Sequence, residues 1–204
     1  GIECDVRLTR DGRVVVFHDP TLIRTAGVRG RIDFNDYNDL RELNVGTKED
    51  PQRIMLLEEL LELMQDYPDK HIYIETKHPT PHGPKALELP IHGIECDVRL
   101  SRDGRVVVFH DASVSRTTDG TGRVDCLDFA ELRQLNCGTA DEPQRIMRLE
   151  ELLELMQDHP DKHLYIETKH PTIYGPEVDE QTLRSLRYAG LHESENVHVI
   201  SFSH

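Results

Sequence analysis

The sequence predicts an α/β fold in which helices cover a parallel sheet, and three observations support this prediction. Residues 1–84 align without a gap on residues 93–176, and roughly 59 of the 84 aligned positions are identical. Each copy begins and ends with a strand pattern of period two, and an amphipathic helix pattern lies between them. This order is a βαβ unit, which builds parallel sheets with helices outside. We therefore predict a first copy at 1–84, a joint at 85–92, and a second copy with a following helix and strand at 93–204.

The order of apolar and polar residues predicts the elements of the first copy, and the same series recurs in the second. In chain order these are strands at 2–7 and 14–17, helical spacing around 34–43, a helix at 57–64 and a strand at 72–77. Asp11-Gly12 predicts a turn between the first two strands, and Pro68 ends the helix. Each copy is therefore larger than the simple unit of a solenoid repeat.

The two copies continue differently after their last strand. The second is followed by a helix pattern that Asp179 is expected to cap and Gly190 to end, and then by a strand pattern at 197–202. The first is followed by residues 78–92, which contain four prolines and are barely long enough for a parallel crossover. We interpret this joint as a recombination boundary.

Composition excludes some classes of function. The net charge of −14 argues against a nucleic-acid partner, and no apolar run is long enough for a membrane span. We interpret Cys4, Cys96, Cys126 and Cys137 as small buried residues in a reducing compartment, which predicts a cytoplasmic protein. The chain begins with Gly1 in the middle of a strand pattern, so we expect it to be a fragment or an excised domain.

Carboxylates on neighbouring strands predict a cation site in each copy. Residues i and i+2 of a strand share a face, so Glu3 and Asp5 point the same way. Glu75 joins them if its strand is the parallel neighbour. Carboxylates held side by side repel each other unless a cation lies between them, and oxygen ligands suit Mg²⁺ or Ca²⁺ better than zinc. The counterparts in the second copy are Glu95, Asp97 and Glu167. The alternative is that these side chains face solvent on a one-sided sheet.

A histidine and a lysine accompany the carboxylates in each copy. His18 ends an apolar strand run beside Asp19, a position suited to a general acid or base, although a structural role is the alternative. Lys77 follows Glu75 by two residues, so it is expected either to stabilise charge on a phosphoryl oxygen or to form a salt bridge with the carboxylates. The corresponding residues of the second copy are His110 and Lys169.

Three motifs carry a resemblance to a known family. They are Gly-Ile-Glu-Cys-Asp-Val-Arg-Leu-Thr-Arg-Asp-Gly, Val-Val-Val-Phe-His-Asp with Arg-Thr five residues after the Asp, and Ile-Glu-Thr-Lys-His-Pro-Thr. Together they resemble the glycerophosphodiester phosphodiesterase family of bacterial type, across nearly all of both copies. The resemblance implies a (β/α)₈ TIM barrel of the phospholipase-C-like phosphodiesterase kind, with its site at the C-terminal ends of the strands.

The same resemblance implies roles for the residues named above. The carboxylates of each copy would be metal ligands, His18 and His110 catalytic, and Lys77 and Lys169 substrate-facing. The reaction would be metal-dependent hydrolysis of a glycerophosphodiester to glycerol 3-phosphate and an alcohol. A lysophospholipase D-type phosphodiesterase is the alternative within enzymes.

The chain also departs from the family. It contains neither the His-Arg-Gly motif of the family's first strand nor the loop glutamate that follows that motif. Measured against the family, it has the second and third strands twice and the fourth once, so we expect a partial barrel. A catalytically incomplete metal-binding or assembly module is the rival hypothesis, with strand edges completed by self-association. The third hypothesis is that the chain is a product of gene assembly and has no stable fold.

Overall fold

The computed structural model describes residues 1–76, 87, 89–138, 143–170, 173 and 176–201. The chain forms two compact units, Gly1–Lys77 and His78–His204. The predicted limits at 1–84, 85–92 and 93–204 stay a prediction, because much of the joint lies outside the described residues.

The first unit contains four strands and three helices in its described part. The strands are β1 (Ile2–Leu8), β2 (Val14–Val16), β3 (Met55–Leu56) and β4 (Ile72–Thr76), and the helices are α1 (Ile23–Ala26), α2 (Tyr37–Leu40) and α3 (Leu57–Met64). The strand β1 pairs with β4 in parallel and with β2 antiparallel, and β2 pairs with β3. The predicted turn connects β1 and β2, where Gly12 has a φ of 77° that few other residues adopt.

The helix expected around 34–43 is shorter than predicted. A 3₁₀ turn at Ile32–Phe34 is followed by extended backbone at Asn35 and Asp36, and only then does the single turn of α2 begin. The carboxylate of Asp11 accepts a hydrogen bond from Tyr37 N at 3.0 Å, which fixes the start of α2 against the hairpin. The apolar spacing that suggests one helix therefore comes from separate segments that pack on the same core.

A small apolar core holds the hairpin and these segments together in the first unit. Its buried residues are Val15, Phe17, Leu22, Ile32, Tyr37, Leu40, Ile54 and Leu56. The helix α3 follows the prediction, and at its start the Glu59 carboxylate accepts a hydrogen bond from Leu56 N at 2.9 Å. This bond satisfies one of the backbone donors that a helix leaves unpaired at its first turn.

The second unit repeats this arrangement and extends it. Its strands are β5 (Gly93–Leu100), β6 (Val106–Val108), β7 (Met147–Arg148), β8 (His163–Thr168) and β9 (Val197–Ile200), and its helices are α4 (Phe129–Leu132), α5 (Leu149–Gln157) and α6 (Glu177–Tyr188). The strand β8 lies between β5 and β9 and is parallel to both. The parallel pairing and the additional strand agree with the predicted order of elements.

One predicted helix cap is wrong. The helix α6 begins at Glu177 after Pro176, so Asp179 lies in its first turn and does not cap it. Its carboxylate instead pairs with His170, whose Nε2 lies 3.0 Å from Asp179 Oδ2. The predicted end is correct, because Gly190 follows the helix with a φ of 72°. The strand expected at 197–202 corresponds to β9, which ends at Ile200. Phe202 lies outside the described residues.

The prediction that all four cysteines are buried is confirmed for two of them. Cys96 and Cys137 are buried and Cys4 is half-buried, but Cys126 is exposed because it ends a 3₁₀ turn on the surface. Burial raises the pKa of Cys137 to about 12. Burial also raises the pKa of Cys4 to about 12, with a further contribution from the charges of Glu3 and Asp5.

We expect a single fast-reacting thiol in the native protein, and we expect it to be Cys126. Thiolates are the reactive form, so buried thiols with raised pKa react slowly. Labelling with a thiol reagent, followed by peptide mass spectrometry, tests this. Rapid labelling that persists in a Cys126→Ser variant would contradict the assignment.

Membrane-spanning helices are absent from the part of the chain that the structure describes, where no helix has both the length and the apolar character required.

Candidate active site

Parallel pairing brings the predicted carboxylates of the second copy together. Asp97 on β5 stands in register with Glu167 on β8, and Glu95 lies two residues earlier on the same face. One carboxylate oxygen from each of the three residues lies within 4.8 Å of the others. Glu95 and Asp97 are only 8% and 5% exposed. The sequence-predicted carboxylates therefore form a compact and largely buried cluster.

The first copy has the same cluster in a more open setting. Asp5 stands in register with Glu75, and oxygens of Glu3, Asp5 and Glu75 also lie within 4.8 Å of one another. Glu75 is buried and Asp5 half-buried, but Glu3 is exposed. The two clusters thus have the same chemistry and different burial.

A lysine bridges two carboxylates in the second copy. Lys169 Nζ lies 2.6 Å from Asp97 Oδ1 and 2.7 Å from Glu167 Oε1. Burial disfavours the ammonium ion, but the hydrogen bonds to both carboxylates outweigh it and raise the pKa of Lys169. Of the two arrangements that the sequence leaves open, the structure contains the salt bridge. The corresponding Lys77 of the first copy lies outside the described residues.

His110 stands beside this cluster, at the end of β6. A ring nitrogen of His110 lies within 4.8 Å of a carboxylate oxygen of Asp97. The backbone fixes this approach, since Phe109 N donates to Asp97 O at 2.9 Å. The side chain of Arg99 also donates from Nε to His110 O at 2.8 Å. His18 is held in the same way, because Phe17 N donates to Asp5 O at 2.9 Å.

An aspartate orients each histidine. His110 Nδ1 lies 2.7 Å from Asp111 Oδ1, and Arg116 donates to both oxygens of that carboxylate. Burial works against ionisation of Asp111, but hydrogen bonds from His110 and Arg116 outweigh it and lower its pKa. The carboxylate therefore stays charged and holds Nδ1, which leaves Nε2 as the ring nitrogen for proton exchange.

The first copy contains the same oriented pair. His18 Nδ1 lies 2.7 Å from Asp19 Oδ1, and Arg24 Nε lies 2.5 Å from Asp19 Oδ2. The hydrogen bond from Arg24, with a further one from His18, lowers the pKa of Asp19 to about 2. The side chain of His18 is 61% exposed, whereas that of His110 is 38% exposed.

Comparison with known proteins identifies the family. Residues 1–85 and residues 84–189 each match the Glycerophosphoryl diester phosphodiesterase family. The chain belongs to this family. The resemblance carried by the three sequence motifs is thereby confirmed.

Relatives of the glycerophosphodiester phosphodiesterase type are longer than this chain. This chain is 36% identical over 116 residues to the probable glycerophosphodiester phosphodiesterase 1 of Mycobacterium tuberculosis. The alignment covers 52% of this chain and 42% of the relative. This chain is 35% identical over 124 residues to the glycerophosphodiester phosphodiesterase of Caldanaerobacter subterraneus. That alignment covers 59% of this chain and 50% of the relative. The chain thus spans about half the length of these relatives.

Solved structures of this family confirm the predicted fold class. An Oleispira antarctica phosphodiesterase in complex with sn-glycerol-3-phosphate matches with a TM-score of 0.57 and 26% identity, over 66% of this chain and 58% of the other. A glycerophosphodiester phosphodiesterase of Agrobacterium tumefaciens matches with a TM-score of 0.55 and 25% identity. This match covers 66% of this chain and 59% of the other. The chain is an α/β protein related to part of the family's TIM-barrel-like fold.

A cavity of about 350 Å³ adjoins Asp5 and His18 of the first copy. Its lining residues are Cys4, Asp5, Val16, Phe17, His18, Asp19, Arg24, Thr25 and Val45. Its size falls at the lower end of the range typical of small-molecule sites. Polar groups of the site and an apolar wall therefore face the same space.

Sequence reasoning missed the residues that position the histidines. Asp111 and Arg116 are visible in the sequence as the residue after His110 and the arginine five residues later. Nothing in the spacing indicates that the arginine returns to the aspartate, because that contact depends on the 3₁₀ turn at Val114–Arg116. Arg99 shares a strand face with Asp97. The alternation along the strand therefore indicates that Arg99 points toward the same site as Asp97.

Proposed function

We propose that this chain catalyses the metal-dependent hydrolysis of glycerophosphodiesters to glycerol 3-phosphate and an alcohol, and that the second copy carries the site. The observation that supports this most directly is the cluster of Glu95, Asp97 and Glu167 beside His110. We favour the second copy because β9 follows it in the family's order. The first copy, with Glu3, Asp5, Glu75, His18 and Lys77, is its duplicate.

The residues of the second copy suit a hard divalent cation. All three ligand groups are carboxylates, and the ammonium of Lys169 already lies against two of them, so the position favours positive charge. Mg²⁺ or Ca²⁺ would be held by Glu95, Asp97 and Glu167 and would polarise a phosphoryl oxygen.

The protein's own groups then have distinct tasks. Lys169 would stabilise negative charge on a phosphoryl oxygen. His110 would take a proton from the attacking oxygen or give one to the departing alcohol, while Asp111 keeps its ring oriented. Hydrolysis adds the elements of water across one P–O bond, so the products are glycerol 3-phosphate and the free alcohol.

The substrate is proposed from the relatives. Their names specify glycerophosphodiesters, and the Oleispira antarctica structure contains sn-glycerol-3-phosphate as product. A lysophospholipid head group carries the same phosphodiester, so lysophospholipase D-type hydrolysis remains the alternative. The cytoplasmic location and self-association through strand edges also remain predictions.

Removal of divalent cations is expected to abolish turnover of glycerophosphocholine, and Mg²⁺ or Ca²⁺ is expected to restore it. Glu167→Gln should raise the half-saturating cation concentration by more than about tenfold, since even groups outside the ligand shell are worth 10–100-fold in metal affinity. The measurement is turnover against cation concentration, with the Glu3→Gln variant of the first copy, at an exposed carboxylate, as control.

Two outcomes would oppose this proposal. Equal cation dependence in the parent and both variants would reject the carboxylate cluster as the metal site. Cation binding by calorimetry without any turnover would instead favour the catalytically incomplete module.

A further inference from the structure

A loop at residues 20–34 leaves the first copy's site directly after Asp19 and is firmly anchored. Leu22 and Ile32 are 3% and 1% exposed and belong to the core of the first unit. Backbone hydrogen bonds from Leu22 N to Gly30 O, at 3.0 Å, and from Ile32 N to Pro20 O, at 3.2 Å, close the loop. Ile23 and Val28 lie between these anchors, and Phe34 follows Ile32 by two residues.

Three large apolar residues of this loop face solvent. Ile23 is 58% exposed, Val28 39% and Phe34 68%. The corresponding residues of the second copy are Ser115, Gly120 and Cys126. No large apolar residue is exposed at residues 112–126, all of which the structure describes.

The second copy closes its loop in the same way without those apolar residues. Its loop keeps buried anchors at Val114 and Val124 and closes with a hydrogen bond from Val114 N to Gly122 O at 3.0 Å. Only the first copy therefore carries these exposed apolar side chains.

The charge of the loop is opposite to that of the chain. Residues 20–34 contain three arginines and one aspartate, whereas residues 112–126 contain two of each. Arg24 and Arg31 pair with Asp19 and Asp33. Arg29 is exposed and takes part in no ion pair among the described residues. The chain as a whole has a net charge of −14.

We propose that the loop at 20–34 binds the surface of an anionic phospholipid bilayer. Apolar side chains that enter the headgroup region, together with nearby arginines, are the combination that holds a protein at such a surface. The loop also supplies Arg24 and Thr25 to the cavity beside His18, so binding would bring that cavity next to the lipid head groups.

Sedimentation of the full 204-residue chain with vesicles tests this proposal. We expect the chain to bind vesicles that contain phosphatidylglycerol, to bind phosphatidylcholine vesicles much less, and to dissociate as salt is raised. The triple variant Ile23→Ser, Val28→Thr, Phe34→Ser should lose at least about tenfold in partitioning. Arg29→Thr, which introduces the residue of the second copy, should lose about fivefold.

Tyr188→Ser is the matched control, because Tyr188 is 91% exposed and lies outside the loop. It should bind like the parent. Absence of binding by the parent, equal binding by the triple variant, or an equal loss in Tyr188→Ser would each overturn the proposal. A parent dimer that the triple variant converts to a monomer would also overturn it, because a second chain would then cover the loop. Binding is measured without turnover, so these outcomes are separate from the fate of the proposed hydrolysis.

Discussion

Replacement of His110 by alanine is expected to lower kcat for glycerophosphocholine by about 10²–10⁴-fold, the contribution typical of a positioned general acid or base. KM should change little, because the carboxylates and Lys169 remain. The ring stands within 4.8 Å of Asp97 and is oriented by Asp111, so its removal deletes proton transfer and leaves the cluster in place. Steady-state kinetics at saturating Mg²⁺ or Ca²⁺ is the measurement.

The duplication supplies an internal control for this experiment. His18→Ala makes the same change in the first copy, where the ring has the same aspartate partner but greater exposure. We expect that variant to retain most of the parent's activity. A large loss in His18→Ala with none in His110→Ala would assign the activity to the first copy and contradict our choice.

Replacement of Lys169 by methionine is expected to lower the free energy of unfolding by about 3 kcal/mol in the absence of divalent cations. The ammonium lies within salt-bridge distance of both Asp97 and Glu167, which are 5% and 13% exposed. Without it, two neighbouring carboxylates are left buried with no positive charge between them. Ca²⁺ should therefore stabilise this variant more than it stabilises the parent.

Urea unfolding with chelator and with Ca²⁺ measures this effect. Lys48→Met is the matched control, because Lys48 is exposed and distant in sequence from the cluster. It should resemble the parent in both conditions. Equal stabilisation of Lys169→Met and the parent by Ca²⁺ would show that the cation does not replace the ammonium.

The tertiary structure overrode local sequence signals at three places. Apolar spacing around 34–43 suggests one helix, but the chain is extended at Asn35 and Asp36 because separate short segments share one core. Asp179 has the side chain of a helix cap, but it pairs with His170. Cys126 belongs to a residue type that is usually buried, but it lies at the surface end of a 3₁₀ turn. At residues 34–43 the deciding contact is distant along the chain, because Asp11 accepts the hydrogen bond that fixes the start of α2 at Tyr37.

The amino-acid sequence by itself determined the family, the duplication and the strand faces, because motifs, repeats and period-two alternation are local properties of the chain. It therefore identified Glu95 and Asp97 as neighbours on one face. Only the tertiary structure decided that Glu167 stands in register with Asp97 and that Lys169 lies between them. Register and salt bridges arise from pairing between segments about 70 residues apart, and no local pattern encodes which partner a side chain meets.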